Sequence, residues 1–333
     1  MIAKNAHIIV KNAVQYYYNA IKGRMSFMEL ENKEIHHKRG YLDKDFQFFH
    51  LKDNKNMQFE FHYHDFNKII IFISGNVTYL IEGKTYKLKP WDILLVNNNE
   101  IHRPIIDQSE AYERIIIWVN SAFLLQHSDN QCNLLSCFEL AAEKKLNLLR
   151  LSPDLLLGVK SILSQLEDAC TSQEFGSKVL KNSFFLQYIV QLNRMFLGIE
   201  IDAEHPDIEY DETIGRILEY INANLNENLS MDNLASTFYL SKYYLMRRFK
   251  QQTGYTIHNY ILQKRLIAAN SLIKRGKSIT RTCIECGFGD YSNFVRSFKK
   301  AFGLSPKKHY KMFLEHEKLV SKHTHHHPDN EPS

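Results

Sequence analysis

The amino-acid sequence has no apolar N-terminal segment of the kind that directs secretion. It also has no run of about eighteen apolar residues, the length that crosses a membrane. Cysteine is scarce, with five residues in a chain of 333. An odd number in a long chain predicts free thiols rather than a disulfide framework. These absences argue against a secreted, membrane-spanning or disulfide-stabilised protein, and we expect a cytoplasmic one.

Positive charge is concentrated in the last third of the chain. The net formal charge is only +5, but residues 213–315 carry 17 Lys and Arg against 6 Asp and Glu, a balance of +11. The remainder carries 25 basic and 31 acidic residues, a balance of −6. Such an asymmetry is typical of a nucleic-acid-binding region attached to a domain with another role. The basic residues would bind phosphates, which gives an affinity that depends on salt but not on base sequence.

The same basic region contains an internal repeat. The segment SKYYLMRRFKQQTG, which begins at Ser241, matches DYSNFVRSFKKAFG, which begins at Asp290, at a constant offset of 49 residues. Each copy opens with a residue suited to a helix N-cap and ends with glycine, the usual residue after a helix C-terminus. In both copies an apolar pair four residues apart marks a buried face, and an arginine, Arg247 or Arg296, lies on another face. The repeat predicts two helices of one pattern, each basic on its exposed side.

Each repeated helix follows a shorter predicted helix and a tight connection. Ser230 is the predicted N-cap of the first short helix, while Ser278 begins the second and Gly287 ends it. A short helix, a turn and a second helix form a helix-turn-helix unit, whose second helix enters the DNA major groove. The alternative is a pair of amphipathic core helices whose charges only face water. Two units in register favour DNA binding.

Residues from Thr213 to Phe313 resemble the DNA-binding domain of the AraC/XylS class of bacterial transcription regulators. The resemblance includes the terminal signature GFGDYSNFVRSFKKAFGLSPKKH, from Gly287 to His309. It implies two helix-turn-helix units joined by one long helix, which here would be TIHNYILQKRLIAANSLIKRG, from Thr256 to Gly276. Twenty helical residues span about 30 Å. Recognition helices so separated could enter successive major-groove segments, which lie about 34 Å apart on one face of the duplex.

The resemblance also implies which side chains face DNA. The base-facing residues are Tyr243, Met246 and Arg247 in the first unit, and Tyr291, Ser292, Asn293 and Arg296 in the second. Arginine can bond guanine O6 and N7 together, asparagine pairs with adenine, and tyrosine or methionine contacts the thymine methyl. Free N–H groups at a helix start suit a phosphate. The predicted phosphate contacts are Ser241, Lys242, Lys250 and Lys299. For any one of these residues the alternative is a solvated surface side chain.

The segment from Asp45 to Val119 has the pattern of closely spaced strands, among them KIIIFISG, VTYLIEG and WDILLVNN. Gly, Pro and Asn turns separate the strands, which predicts a small barrel or jelly roll. His62–His64 in HYH, Gly75, the KPWDILLV segment at Lys89–Val96 and His102 resemble a cupin domain, although several glycines typical of that family are missing. A cupin-like sensor is a frequent partner of the AraC-type DNA-binding domain.

Three histidines and one lysine are the candidate ligand-binding residues of this barrel. His62 and His64 would project from one face of a strand, and His102 could return from a later strand, a set that can bind a divalent metal. Metal-binding cupins add a glutamate shortly after the pair, whereas this chain has Lys68, whose ammonium would oppose a cation and attract an anionic or hydroxyl-bearing ligand. A purely structural role for the histidines is a further alternative. We predict an effector pocket of these four residues, without a metal and without a cofactor.

Beyond the barrel the pattern becomes helical and predicts a hairpin, which packs internally or pairs with a second subunit. Its apolar stripes are Leu155, Val159, Ile162 and Leu166, and Val179, Leu186, Ile189 and Leu192. The acidic segment Ile199–Glu212 contains Pro206 and resembles a linker. The predicted organisation is an N-terminal segment without an assigned role (1–44), a sensing barrel (45–120), a dimerisation hairpin (121–198), a linker (199–212), the double helix-turn-helix domain (213–315) and a disordered tail (316–333).

The predicted fold is therefore α+β, a cupin-like β-barrel with a helical hairpin followed by an all-α DNA-binding domain. We interpret the chain as a sequence-specific transcription regulator controlled by a small effector such as a sugar or an anionic metabolite. It would bind promoter or operator DNA as a homodimer, the commonest soluble oligomer, and act on RNA polymerase. The family resemblance implies activation rather than repression. Two alternatives stay open: a metal-dependent cupin enzyme, such as an isomerase or dioxygenase, with an appended DNA-binding domain, and an architectural DNA binder with little sequence preference.

Overall fold

The computed structural model describes residues 42, 44–53, 59, 61–107, 109–198 and 207–324, with side chains as far as Glu315. The predicted N-terminal segment 1–44 lies almost entirely outside these residues. The strands are β1 (Phe46–Asp53), β2 (Asn67–Ser74), β3 (Val77–Ile81), β4 (Lys84–Lys87), β5 (Ile93–Val96), β6 (His102–Ile106), β7 (Tyr112–Val119), β8 (Leu148–Leu149) and β9 (Ile208–Glu209).

The strands form two antiparallel sheets that share one apolar core. One sheet has the order β1-β7-β2-β5-β8 and the other has the order β6-β3-β4-β9. Ile70, Phe72 and Leu94 from the first sheet pack with Tyr79 and Tyr86 from the second. Two sheets around one core give the predicted cupin-like architecture.

The other face of the five-stranded sheet is also buried. Ile69 and Ile71, which alternate with the interior residues of β2, pack with Phe185 and Leu192 of a helical hairpin. A strand buried on both faces explains why KIIIFIS is apolar almost throughout rather than alternating. The helices of this half are α1 (Ser121–Gln126), α2 (Ser136–Glu143), α3 (Pro153–Thr171) and α4 (Ser177–Leu197).

The hairpin is shorter than predicted. It consists of α3 and α4 alone, whereas residues 121–149 form two short helices and strand β8, which joins the five-stranded sheet. The predicted stripes are buried only in part, because Leu155 and Val179, the first member of each, are exposed. Both residues lie near the starts of their helices, before the first residue of each helix that is buried in the apolar core.

The predicted linker is partly incorporated into the barrel. Residues 199–206 lie outside the described part of the chain, but Ile208 and Glu209 form β9 and pair with β4. Asp207 binds Lys89 at 2.7 Å and also contacts Arg150. The segment from Asp207 onward therefore follows the barrel edge directly into the DNA-binding domain, a correction to the predicted linker 199–212.

The DNA-binding domain is all-α, as predicted. Its helices are α5 (Glu212–Ala223), α6 (Met231–Thr237), α7 (Lys242–Thr253), α8 (Ile257–Lys274), α9 (Ile279–Glu285), α10 (Tyr291–Phe302) and α11 (Pro306–Thr324). Six of these helices begin at a side chain that accepts a hydrogen bond from the backbone N–H three residues later. These caps are Asp211, Ser230, Ser241, Thr256, Ser278 and Asp290. Local capping chemistry thus confirms the predicted starts of both helix-turn-helix units and of the connecting helix α8.

Each helix-turn-helix unit has its own core, and α8 contributes to both. Leu245 and Phe249 lie in the first core, and Phe294 and Phe298 lie in the second. The final helix α11 extends to Thr324, so the predicted disordered tail, 316–333, is helical in its first nine residues. Within the described residues, none of the helices combines the length and the apolar character that a membrane crossing requires.

Candidate DNA interface and ligand pocket

The first recognition helix, α7, presents one buried and one open face. The Ser241 hydroxyl accepts a hydrogen bond from the Tyr244 N–H at 3.2 Å and fixes the start of the helix. Leu245 and Phe249 are fully buried, which orients the opposite face toward solvent. The predicted base-facing residues, Tyr243, Met246 and Arg247, are all exposed, with Tyr243 at 71 %.

The second recognition helix, α10, repeats this arrangement. The Asp290 carboxylate accepts from the Asn293 N–H at 2.6 Å, and the rings of Phe294 and Phe298 are fully buried. The predicted base-facing set is exposed here as well; its members are Tyr291, Ser292, Asn293 and Arg296. Both helices end at a glycine with positive φ, Gly254 at 74° and Gly303 at 78°.

The predicted phosphate contacts differ in their availability. Lys250 and Lys299 are exposed in the last turns of α7 and α10. Lys242 forms an ion pair with Asp232 of α6, and the Ser241 hydroxyl is already used as the helix cap. The backbone N–H groups at the start of α7 are consequently better candidates for a phosphate than the Ser241 side chain itself.

Tyr239 is an exposed residue that the sequence analysis did not identify. It lies in the turn between α6 and α7 with φ at 55°, and its side chain is 95 % exposed. The second unit has Gly287, with φ at 74°, at the corresponding place in the turn after α9. A left-handed conformation costs glycine nothing and costs tyrosine about 1 kcal/mol or more. Alignment of the turns, rather than of the recognition helices alone, would have identified Tyr239 as unusual.

The three predicted histidines converge at one end of the barrel interior. His62 and His102 pair through their backbones, with N–H···O distances of 3.1 and 3.0 Å. One ring nitrogen from each of His62, His64 and His102 lies within 4.8 Å of the others. His102 Nδ1 bonds the Glu100 carbonyl oxygen at 2.9 Å. His102 Nε2 and both ring nitrogens of His64 are buried without a hydrogen-bond partner among the described residues.

The fourth predicted residue, Lys68, lies with the histidine cluster. Lys68 is buried in β2 on the same face as Ile70 and Phe72, which is the barrel interior. Burial, followed by repulsion from the Lys68 ammonium and the neighbouring imidazoles, lowers the pKa of His64 well below its usual value. Burial also lowers the pKa of His102, with smaller contributions from His62 and Lys68. Both imidazoles are therefore neutral at pH 7, the form that binds a metal or accepts a hydrogen bond.

Trp118 adds a donor to the histidine cluster. Its ring lies 4.9 Å from Phe66 and 6.2 Å from His64, and its Nε1 is buried without a hydrogen-bond partner within the described part of the chain. A buried N–H that makes no hydrogen bond costs about 1–3 kcal/mol, so a ligand that accepts from it is stabilised. Three imidazoles, an indole N–H and an ammonium are thus arranged around one interior region.

A buried arginine is another interior group that the sequence did not reveal. Arg114 of β7 binds Asp53 at 2.6 Å and lies over the Tyr112 ring at 4.1 Å. The Tyr112 hydroxyl donates to the Tyr79 hydroxyl at 3.3 Å. Arg114 and Tyr112 lie on the same strand as Trp118, nearer to its start. Its position in YERIIIWV gives no periodic signal, because most residues of β7 are buried.

A cleft of about 600 Å³ lies beside the contact between the barrel and the DNA-binding domain. Glu82 and Glu100 line its barrel side, and Asn222 and Lys264 line its DNA-binding side. Burial, followed by repulsion from Glu82, raises the pKa of Glu100 to about 7. The Glu100 carboxylate accepts hydrogen bonds from the backbone and side-chain N–H groups of Asn97.

Comparison with known proteins matches both halves of the chain. A model of the AraC-like ligand binding domain matches residues 48–187, and a helix-turn-helix domain model matches residues 234–312. The HTH-type transcriptional activator RhaS of Enterobacter sp. (strain 638) is 26 % identical over 252 residues, which cover 74 % of this chain and 85 % of that protein. RhaS of Escherichia fergusonii is 24 % identical with the same coverage.

Solved structures also resemble the chain. ToxT from Vibrio cholerae is 16 % identical, covers 81 % of this chain and 99 % of its own, and has a TM-score of 0.32. The DNA-binding domain of AdpA in complex with a target DNA is 20 % identical, covers 32 % of this chain and 98 % of its own, and has a TM-score of 0.31. The ligand-binding model matches the part of the chain that forms the two-sheet barrel and its helices. The helix-turn-helix model matches the C-terminal helical domain that follows it. The chain belongs to the AraC/XylS family of transcription regulators, with a cupin-like ligand-binding domain before its DNA-binding domain.

Proposed function

We propose that this regulator activates transcription by reading two adjacent major-groove segments with α7 and α10. The observation that carries the proposal is the repeated exposed face, in which Arg247 and Arg296 occupy equivalent positions on helices joined by α8. The 18 residues of α8 span about 27 Å, which is comparable with the separation of about 34 Å between successive major-groove segments. The two RhaS proteins named above are transcriptional activators, which supports activation over repression.

The proposed effector site is the barrel interior around His62, His64, Lys68 and His102. A ligand with hydroxyl or carboxylate groups, such as a sugar or an anionic metabolite, would accept from Lys68 and Trp118. It would also provide hydrogen-bond partners for both ring nitrogens of His64 and for His102 Nε2, which lack them among the described residues. To regulate DNA binding, the effector must bind the DNA-competent arrangement more tightly than the other.

A homodimer is the proposed functional unit. The turn between α3 and α4 and the start of α4 carry exposed apolar side chains, which we call the hairpin tip: Phe175, Val179 and Leu180. Phe175 is completely exposed, and contiguous apolar exposure of this kind favours an interface. A dimer would present four recognition helices to repeated half-sites, beside which RNA polymerase would be engaged. Such a protein acts where the DNA is, in the cytoplasm.

A metal-dependent enzyme is the second candidate, and the convergence of three imidazoles within 4.8 Å is the observation that favours it. The buried Lys68 ammonium opposes a cation at that place, and a glutamate, the fourth ligand of metal-binding cupins, does not follow the histidine pair. We therefore propose a sensor rather than an enzyme.

Selection of bound fragments from a pool of random duplexes tests the DNA-binding part. The expected result is one motif with two sub-sites about one helical turn apart. Enrichment without a motif would favour an architectural binder and contradict the proposal.

A screen of sugars and organic acids for a rise in melting temperature tests the sensor. A ligand at a hundred times its Kd stabilises the folded chain by about 2.7 kcal/mol. The gain should disappear in Lys68→Met and persist in Lys87→Met, a matched change at an exposed barrel lysine. Equal stabilisation of both variants would place the ligand elsewhere.

A further inference from the structure

The barrel and the first helix-turn-helix unit share side chains. Tyr63 and Ile101 of the barrel are buried in the core of that unit, together with Leu245 and Phe249. Phe61 lies against Gly254, where an added Cβ would approach the Phe61 ring to 1.9 Å. The contact between the two domains is therefore a packed interface.

The residues of this interface alternate with the histidine cluster. In the extended segment 61–64, Phe61 and Tyr63 contact the DNA-binding domain, while His62 and His64 face the barrel interior. The same alternation holds at Ile101 and His102. A displacement of the imidazoles by a ligand would thus move the side chains that pack in the DNA-binding domain.

Two barrel carboxylates bind the connecting helix α8 at separate points. Glu82 accepts hydrogen bonds from the Tyr260 hydroxyl at 2.7 Å and from Lys264 Nζ at 2.5 Å. Asp65 binds Lys274 Nζ at 3.0 Å, at the other end of the helix. The two points of attachment lie about 15 Å apart along α8.

Each of these carboxylates is connected through the backbone to one of the three clustered histidines. Asp65 follows His64 in the chain. Glu82 accepts a hydrogen bond at 2.7 Å from the N–H of Ile101, the residue before His102. Glu82 is held in a left-handed conformation, with φ at 46°, in the tight turn between β3 and β4. The next residue, Gly83, accepts through its carbonyl from Gln252 of α7 at 2.9 Å, so this turn contacts the recognition helix as well as α8.

We propose that Asp65 and Glu82 are positioning residues of the DNA-binding domain, which clamp α8 against the barrel and couple the two recognition helices to the histidine cluster. This inference rests on the proposed function, because it gives Asp65 and Glu82 a role in DNA recognition and in its control by the effector. The clamp leaves the base-facing residues of α7 free, since the barrel contacts the opposite end of that helix at Gln252 and Gly254. It therefore supports binding rather than blocking it.

The test compares Glu82→Gln and Asp65→Asn with Glu219→Gln as the control. Glu219 also pairs across the domain boundary, with Lys145, but both side chains are half-exposed. All three changes remove one negative charge, so charge alone would strengthen binding to anionic DNA in every variant. Loss of the positioning contact is expected to weaken binding instead. Affinity is measured in the full chain for the selected duplex and for a random duplex of equal length.

The expected result is a loss of at least fivefold for Glu82→Gln and Asp65→Asn on the selected duplex, with a change under twofold on the random one. Glu219→Gln should bind both as well as the wild type or slightly better. If Glu82→Gln and Asp65→Asn behave like Glu219→Gln, the clamp is refuted. A wild-type chain that does not prefer its selected duplex would refute the proposed function, and the clamp with it.

Lys264→Gln breaks the same contact from the other side. Glu82 keeps its contacts with Tyr260 and Ile101 when Lys264 is changed. The double variant should therefore lose less affinity than the sum of the two single losses, whereas an additive loss would contradict the pairing.

If the histidine cluster is coupled to DNA binding, DNA binding must in turn affect the cluster. A purely structural role of Glu82 would not produce this effect. Adding the selected duplex should shift the imidazole ¹⁵N resonances of the cluster in the wild type and not in Glu82→Gln. Unchanged imidazole signals in a wild type that is bound to DNA would overturn the coupling.

Discussion

The guanidinium of Arg248 lies 2.5 Å from the carboxylate of Asp211, the residue that caps α5. Arg247, its neighbour on α7, takes part in no ion pair among the described residues. The adjacent arginines therefore differ in their contacts. Arg248 ties the recognition helix to the start of its domain, whereas the exposed Arg247 has the accessibility that the proposed contact with a base requires. Arg296 on α10 is likewise exposed and in no ion pair within the described residues.

We expect Arg247→Ala and Arg296→Ala each to weaken binding to the selected duplex by about 1–3 kcal/mol and to relax the preference at one base position. The reason is the loss of a bidentate contact to a base edge. Arg281→Ala is the control, since it removes the same charge from an exposed side chain of α9 that is paired with Glu285. Binding curves and repeated selection measure both effects. An equal loss on selected and random duplexes would leave only phosphate attraction.

Charged residues introduced at the hairpin tip should dissociate the proposed dimer. The double variant Phe175→Asp and Val179→Asp places two carboxylates on an apolar surface, where burial against a second subunit would cost several kcal/mol. Sedimentation at micromolar concentration should give a dimer for the wild type and a monomer for the variant. Leu125→Asp, at an exposed apolar residue of α1, should stay dimeric. A wild type that sediments as a monomer at high micromolar concentration would contradict the dimer.

Lys68→Glu should create a zinc site in the barrel. The change replaces the ammonium beside three imidazoles with a carboxylate and completes a set of four ligands. Zinc affinity, measured by competition with a chelator after removal of the His-rich tail beyond Lys322, should rise at least tenfold over the wild type. Lys87→Glu, on the exposed side of β4, should leave it unchanged. Stoichiometric iron, manganese or zinc in the wild type, lost in His64→Ala, would revive the enzyme alternative.

The stability gained from the contact of Asp207 with the barrel should depend on pH. Hydrogen bonds from Lys89 and Arg150 lower the pKa of Asp207 from 3.8 to about 2. A carboxyl group whose folded pKa is depressed adds stability above its unfolded pKa, and this stability is lost as the pH falls from about 4 toward 2. Asp207→Asn should therefore lower the melting temperature at pH 7, and the difference from the wild type should shrink over that range. Glu143→Gln, at an exposed carboxylate, controls for charge, and a constant difference across pH would contradict the assignment.

The elements that could be predicted from the sequence are those fixed by neighbours in the chain. Ser241, Asp290 and the two C-terminal glycines act within one helical turn, so their pattern alone locates the recognition helices. Strand alternation led us to expect His62 and His64 on one face, and the resemblance to cupins led us to expect His102 to join them from a later strand; the three imidazoles do converge.

Contacts between distant segments could not be predicted in this way. The pairing of Ile208 with Tyr86 in β4 converts part of a linker-like acidic segment into a strand. The ion pair of Arg114 with Asp53 joins two strands whose apolar patterns contain no sign of it. Burial of Ile101 in a core formed mainly by residues beyond 213 depends on how the two domains pack. Each of these contacts joins segments whose sequences are independently compatible with many partners.

The shared core at Tyr63 and Ile101 limits how this regulator could be rebuilt by exchange of parts. A chimera joined between residues 199 and 206 would combine the helices of one protein with a foreign barrel, and the core of the first helix-turn-helix unit would lose two buried side chains. The foreign barrel would also need a ring that fits against Gly254 and an acceptor for Tyr260 and Lys264. A graft that transfers effector response would have to include these contacts. A substitution on one side of this surface therefore requires a compensating change on the other, although the two halves match separate domain models.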